Sequence, residues 1–186
     1  MADNERSLLV LGLGNLLCAD DGLGVHAVAS LLRRFEVPTN ARVLDGGTLG
    51  MSLLGCFEGA DDVVLVDAIA GDGPAGTLVR LEDDDVAPAV RTRLSCHQIG
   101  VADLLDALLL IGGYPDRVVF WGMVPESLEL DTNLSPAVAT NLPTLVDRVV
   151  EEAARLGFDF RARTTVVADG SSLTYDRCFG PAPVRV

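Results

Sequence analysis

The stretch Ser7-Leu-Leu-Val-Leu-Gly-Leu13, closed by Gly14-Asn15, decides the fold class of this chain. Its apolar residues run almost without interruption and end at a turn signal, a pattern typical of a strand buried on both faces. After Asp20-Asp21-Gly22, apolar residues recur at helical spacing as far as Arg33-Arg34. A fully buried strand that leads into an amphipathic helix indicates an α/β domain.

The same alternation of strands and helices continues along the chain. Further strands are predicted at residues 41–45, 63–66, 77–81 and 117–124, and further helices at about 49–58, 97–111 and 136–157. Strand 77–81 follows its predecessor too closely for a crossover helix, so it is predicted to be antiparallel and at an edge. Pro143 is expected to kink or split the last helix.

These elements predict a three-layer α/β fold. A mostly parallel, twisted sheet would have helices on both faces and one antiparallel edge strand. We expect a single domain over residues 1–160 and a C-terminal extension of uncertain order over residues 161–186, in which residues 164–168 could add an edge strand.

Composition excludes several classes of function. The 186 residues carry 14 Lys+Arg against 27 Asp+Glu, a net charge of −13. This balance argues against binding to nucleic acid, whose phosphates are contacted by clustered Lys and Arg, and against docking on an anionic membrane surface. No apolar run is long enough to span a bilayer, and the polar N-terminus has no signal-peptide layout. We expect a cytoplasmic protein whose four widely separated cysteines are free and mostly buried.

Three polar residues are candidates for chemistry at the carboxyl edge of the sheet, where ligands bind in open parallel sheets. Asp21 follows the first strand, Asp67 ends strand 63–66, and His97 opens a helix. Two carboxylates and an imidazole suit a divalent ion such as nickel, zinc, manganese or iron, or an acid–base pair without metal. The structural alternatives are a helix N-cap for Asp21, a turn residue for Asp67 and a helix-start residue for His97.

The run Gly12-Leu-Gly-Asn15 also suggests a nucleotide-binding loop. The dinucleotide fingerprint requires a third glycine where Leu17 stands and a ribose-binding acid about twenty residues later, whereas the available acid, Asp45, comes about thirty residues after Gly14. The other interpretation of these glycines is that they let the backbone turn and approach a neighbour closely.

Four motifs in order resemble those of the hydrogenase maturation proteases, the endopeptidases that trim the C-terminus of the [NiFe]-hydrogenase large subunit. The opening signature is Leu11-Gly-Leu-Gly-Asn-Leu-Leu-Cys-Ala-Asp-Asp-Gly-Leu-Gly-Val25. Asp45-Gly-Gly-Thr48, then Val66-Asp-Ala-Ile69 with Pro74-Ala-Gly-Thr77, and His97-Gln-Ile-Gly100 follow. The resemblance covers about residues 7–157.

The resemblance implies a nickel-binding trio formed by Asp21, Asp67 and His97. Members often carry Glu at the first position, where this chain has the shorter Asp21. It also implies that the protease binds the nickel already held by the large-subunit precursor and then releases a short C-terminal peptide. Gly46, Gly47 and Thr48 could line the substrate cleft, or could form a plain tight turn.

The implied mechanism has two forms. In one, the ion polarises the scissile carbonyl or activates water; in the other, Asp21 or Asp67 acts as a general base, as in an acid protease. Two other functions stay open from the sequence: a non-catalytic chaperone that binds metal or precursor, and a nucleotide-binding α/β protein.

Overall fold

A five-stranded sheet forms the centre of the computed structural model, which describes residues 5–93 and 99–164. Its order is β3-β1-β4-β6-β5, and a separate pair is formed by β2 and β7. The strands are β1 (Leu8–Leu13), β2 (Phe35–Glu36), β3 (Ala41–Gly47), β4 (Asp62–Ala68), β5 (Leu78–Glu82), β6 (Arg117–Met123) and β7 (Arg161–Ala162). The helices are α1 (Leu23–Arg34), α2 (Val86–Arg93), α3 (Ile99–Ile111) and α4 (Pro136–Arg155), with 3-10 turns at Ala19–Gly22, Gly50–Phe57 and Asp83–Asp85.

Strand β1 lies between β3 and β4 in the sheet and is buried along its whole length. Leu8 and Val10 belong to a core cluster with α1 and α4 on one face. Leu9 and Leu11 belong to a second cluster, with Gly50–Phe57, α2 and α3 on the other face. Because successive residues of a strand point to opposite faces, an unbroken apolar run supplies both cores. The predicted three-layer α/β fold is confirmed.

The antiparallel edge strand is also confirmed. β5 pairs antiparallel with β6, while β1 pairs parallel with β3 and β4, and β4 pairs parallel with β6. As predicted, no helix lies between β4 and β5. The four parallel strands therefore end at one common edge, where the candidate residues lie.

The last helix begins as predicted. The Ser135 hydroxyl accepts a hydrogen bond from the Val138 N–H, and proline follows at the first helical position. Pro143 does not split the helix, which runs unbroken from Pro136 to Arg155. A proline removes one backbone donor, and the buried face of α4 outweighs that loss by packing Leu145, Val146 and Val149 into the core.

Several features differ from expectation. Helix α2, the β2–β7 pair and the 3-10 turn at Asp83–Asp85 were not predicted. Cys18 is free, but the expectation of a free thiol is wrong for Cys56, which is disulfide-bonded. Residues 165–168 of the predicted edge strand lie outside the described residues. Among the described helices, none combines the length and apolar character needed to span a bilayer.

Candidate functional site

Two acidic residues meet at the carboxyl edge of the sheet. Asp21 lies in the 3-10 turn that follows β1, and Asp67 is the last residue but one of β4. Both side chains are buried, although aspartate is rarely buried without a partner or a function. The turn that carries Asp21 contacts β4, so residues far apart in sequence share one place in the fold.

Gly14 makes this approach possible. Its φ is +119°, in the region that favours glycine. A Cβ atom there would lie 1.7 Å from the Asp21 carbonyl oxygen and 3.4 Å from Asp67 Oδ1. Any side chain at this position would therefore push the Asp21 turn away from the end of β4.

Backbone donors hold both carboxylates. The Asn15 N–H donates to Asp21 Oδ2 at 3.1 Å, and the Ala68 N–H donates to Asp67 Oδ1 at 2.7 Å. The structural alternatives for these two residues are wrong. Helix α1 has Gly22 as its N-cap with no side-chain cap, and Asp67 lies inside a strand rather than in a turn. Hydrogen bonds of this kind fix the orientation of the carboxylate.

A third buried acid, Asp20, was missed in the sequence. Its Oδ2 accepts from the N–H groups of Glu126 (2.8 Å) and Ser127 (3.1 Å). Its Oδ1 accepts from the Ser135 N–H at 2.7 Å. Asp20 thus ties the Asp21 turn to the loop between β6 and α4. The paired acids Asp20-Asp21 were the available signal, but only the structure shows that their roles differ.

The end of β3 and Thr48, which follows it, reach the same edge. The Gly14 N–H donates to the Gly47 carbonyl oxygen at 3.0 Å, which places Gly46, Gly47 and Thr48 beside the Asp21 turn. Gly46 is buried and Thr48 is exposed. Burial raises the pKa of Asp45 above its usual value, and the hydrogen bond from the Gly47 N–H, 2.9 Å from Asp45 Oδ1, opposes that rise.

His97, the third member of the predicted trio, lies outside the described residues. Within residues 5–93 and 99–164, no group of three His, Cys, Asp or Glu side chains is arranged to hold a metal ion. The described part of the site therefore supplies two carboxylates. These can act as oxygen ligands for a divalent ion or as general bases.

Gly12 of β1 and Gly14, which follows this strand, serve chain packing. A Cβ atom at Gly12 would lie 2.2 Å from the Gly24 carbonyl oxygen, where α1 begins. Gly14 is packed against Asp21 in the same way. A phosphate-binding loop needs this space for the ligand, so the nucleotide-binding alternative is not favoured.

Comparison with known proteins points to one family. A family model described as HycI, hydrogenase maturation protease, matches residues 25–152. The hydrogenase 2 maturation protease of Escherichia coli (strain K12) is 36% identical over 160 residues, 86% of this chain and 98% of the relative. The hydrogenase expression/formation protein HupD of Rhodobacter capsulatus is 36% identical over 170 residues, 90% of this chain and 81% of the relative.

Solved structures agree. The hydrogenase maturating endopeptidase HybD from E. coli superimposes with a TM-score of 0.81 at 35% identity, covering 86% of this chain and 99% of that one. The [NiFe] hydrogenase maturation protease HybD from Thermococcus kodakarensis gives a TM-score of 0.68 at 26% identity, covering 80% and 99%. The α/β fold predicted from the sequence is also the fold of these proteins.

Proposed function

Because this chain belongs to the hydrogenase maturation protease family and is an endopeptidase of hydrogenase maturation, we propose that it processes a [NiFe]-hydrogenase large-subunit precursor. In this proposal the precursor is nickel-loaded and loses a short C-terminal peptide. The nickel belongs to the substrate. The observation that carries the proposal is the meeting of buried Asp21 and Asp67 around Gly14, at an edge where the loops of four parallel strands can receive a polypeptide.

We assign the recognition of nickel to Asp21, Asp67 and His97. Two carboxylate oxygens and an imidazole nitrogen form a donor set suited to a divalent first-row metal. The backbone donors Asn15 and Ala68 orient the two carboxylates. Three protein ligands leave positions for the ligands that the precursor itself contributes. A precursor without nickel would lack the group that this trio binds, so only a loaded precursor would be processed.

The same carboxylates are proposed to act in hydrolysis. Asp21 or Asp67 can take the proton of the attacking water as a general base. Nickel of the precursor can alternatively polarise the scissile carbonyl. Segment 46–48, joined to Gly14 through Gly47, is proposed to line the cleft that holds the extended precursor segment. We place the reaction in the cytoplasm, which cell fractionation tests directly.

The decisive experiment is the Asp67→Asn variant assayed on a nickel-loaded precursor. Asparagine keeps the size of the side chain and removes its charge, so both mechanisms predict a loss of cleavage of at least about 100-fold. The readout is the mass of the precursor, which falls when its C-terminal peptide is released. Asp147→Asn, at an exposed position on α4, is the control and should cleave at the normal rate.

Omitting nickel separates the two mechanisms. If the trio acts through nickel, a nickel-free precursor stays intact even when its tail is unfolded. Cleavage of that precursor at an undiminished rate would eliminate nickel recognition and leave acid–base hydrolysis. An intact nickel-loaded precursor, under conditions where a known active protease of the family cuts it, would refute the proposed function.

A further inference from the structure

An exposed apolar surface adjoins the turn that carries Asp21. It is formed by two segments, residues 16–17 and 128–130, and bears four exposed leucines: Leu16, Leu17, Leu128 and Leu130. Exposed apolar residues occur singly on many surfaces, but a group of them beside a proposed active site indicates a binding surface. We call this group the leucine surface.

Backbone hydrogen bonds join the two segments. The Asp131 N–H donates to the Leu17 carbonyl oxygen at 3.1 Å, and the Ala19 N–H donates to the Asp131 carbonyl oxygen at 2.7 Å. The Asp20 N–H donates to the Ser127 carbonyl oxygen at 3.1 Å, and the Asp20 carboxylate binds the same loop. The leucines are therefore held in place before a partner arrives, which lowers the entropy cost of binding.

The leucine surface is continuous with the site. Asn15, whose N–H donates to Asp21, directly precedes Leu16 in the chain. A Cβ atom at Gly22 would lie 3.1 Å from Leu16 Cα, so Leu16 packs directly against the end of the Asp21 turn. A polypeptide whose scissile bond reaches Asp21 would cross these leucines on its way to or from the carboxylates.

The acidic residues beside the leucine surface indicate the charge of the segment that binds there. Residues 7–32 and 118–147 contain no Lys or Arg, whereas the loop of Leu128 carries Glu126, Glu129 and Asp131. All three acids are exposed. A complementary segment would combine apolar side chains with at least one Lys or Arg, because unlike charges attract across an interface and like charges are rejected.

We infer that the leucine surface docks an apolar, basic segment of the large-subunit precursor next to its cleavage site. This inference rests on the proposed function and adds the chemistry of the segment that is bound. It commits to the precursor rather than to a second copy of this chain, because docking must place a peptide bond at Asp21 and Asp67.

The test is the double variant Leu17→Ser/Leu130→Ser, assayed on the nickel-loaded precursor. Its control is Leu109→Ser/Leu110→Ser, near the opposite end of the sheet where α3 leads to the start of β6. Exposure is matched: 61% and 86% for Leu17 and Leu130, against 58% and 87% for the control pair. We expect the first variant to raise KM at least about tenfold with little change in kcat. The variant loses only the apolar contact that the two leucines make with the bound precursor, away from the reacting bond. The control should keep the normal KM.

A normal KM in the first variant, or an equal rise in both, would overturn the docking surface. Failure of the proposed function looks different, since the unaltered protein then leaves the precursor uncut. Binding of the nickel-loaded precursor to the unaltered protein needs no cleavage and tests the surface in that case. Binding that only the Leu17→Ser/Leu130→Ser change abolishes supports the inference, and the absence of any binding overturns it.

The charge of the segment has its own readout. Glu126→Gln/Glu129→Gln keeps the size of both side chains and removes their charge. With the unaltered protein, KM should rise several-fold between about 50 and 200 mM salt, because salt screens exposed charges. The glutamine variant should lose most of that rise. A KM that is independent of salt in the unaltered protein would refute a basic segment.

Discussion

The buried carboxylate of Asp20 accepts hydrogen bonds from three backbone N–H groups of a loop that is distant in sequence. Glu126, Ser127 and Ser135 all donate to it, at 2.8, 3.1 and 2.7 Å. The preceding residue, Ala19, has a φ of 46°, a left-handed conformation that a non-glycine residue adopts at some cost. The hydrogen bonds of Asp20 and of the Ala19 N–H hold the turn in this conformation, and the turn in turn fixes where Asp21 lies.

Asp20→Asn is predicted to destabilise the fold by about 2–3 kcal/mol. An amide offers one oxygen in place of two, and its NH₂ group would face a backbone donor, so a buried N–H loses its acceptor. Urea unfolding measures the loss. Amide hydrogen exchange should accelerate at Glu126, Ser127 and Ser135 in particular, which a general loss of stability would not produce.

The control for this change is Asp131→Asn on the same loop. Its carboxylate accepts hydrogen bonds from Asn133 but is exposed, so the free energy of unfolding should stay close to that of the unaltered protein. If both variants lost equal stability, or if the three amides kept their protection in Asp20→Asn, Asp20 would not hold the loop as described.

Among the elements, α1 depends on its contact with the sheet. A Cβ atom at Gly24 would lie 2.1 Å from the Val66 carbonyl oxygen and 2.4 Å from the Leu13 carbonyl oxygen. The helix therefore begins in direct backbone contact with β1 and β4. Since Asp21 and Gly22 connect β1 to this helix, the close approach also fixes the position of the site.

Gly24→Ala is therefore predicted to cost about 3 kcal/mol of stability, the upper part of the range for overpacking, because rigid backbone must move. It should also lower the cleavage rate by displacing Asp21. Gly55→Ala is the matched control, since no atom lies within 4 Å of a Cβ there. Thermal unfolding of both variants tests this, and equal melting temperatures would contradict the packing argument.

The elements that sequence analysis missed share a physical cause. Helix α2 has a weak amphipathic pattern and contains Pro88, which is tolerated because it lies in the first turn. Strands β2 and β7 have two residues each and are defined only by their pairing, Phe35 with Ala162 and Glu36 with Arg161. Neither case leaves a periodic signal, because tertiary contact rather than local pattern stabilises these segments.

For the whole molecule, the sequence was most informative for the strands that are buried on both faces of the sheet. The apolar runs of β1, β4 and β6 predicted the sheet. Asp21 after the first strand, Asp67 at the end of β4 and His97 at a helix start predicted which edge of the sheet is functional. The approach of Asp21 to Asp67 around Gly14 needed the structure, because spacing in sequence does not set distance across a sheet. The proposed roles of Asp21, Asp67 and His97, and the boundary at residue 160, stay predictions.

Some of the 27 acidic residues have structural roles that the net charge of −13 does not show. Glu152 on α4 is buried and accepts two hydrogen bonds from Arg80 of β5, at 2.7 and 3.0 Å. The Trp121 indole N–H of β6 donates to it at 3.2 Å. This one carboxylate therefore joins a helix of the outer layer to two strands at the edge of the sheet.

The Arg80 hydrogen bonds lower the pKa of Glu152, although burial opposes this. A carboxyl whose pKa is lower when folded stabilises the protein above its unfolded pKa of about 4.3, and that contribution is lost as the pH falls through the folded pKa. Glu152→Gln should therefore cost about 3 kcal/mol at pH 7 and progressively less below about pH 4. Urea unfolding across that range, with exposed Glu151→Gln as control, measures the difference. If Glu152→Gln lowered the free energy of unfolding as much at pH 3 as at pH 7, Glu152 would contribute through packing rather than charge.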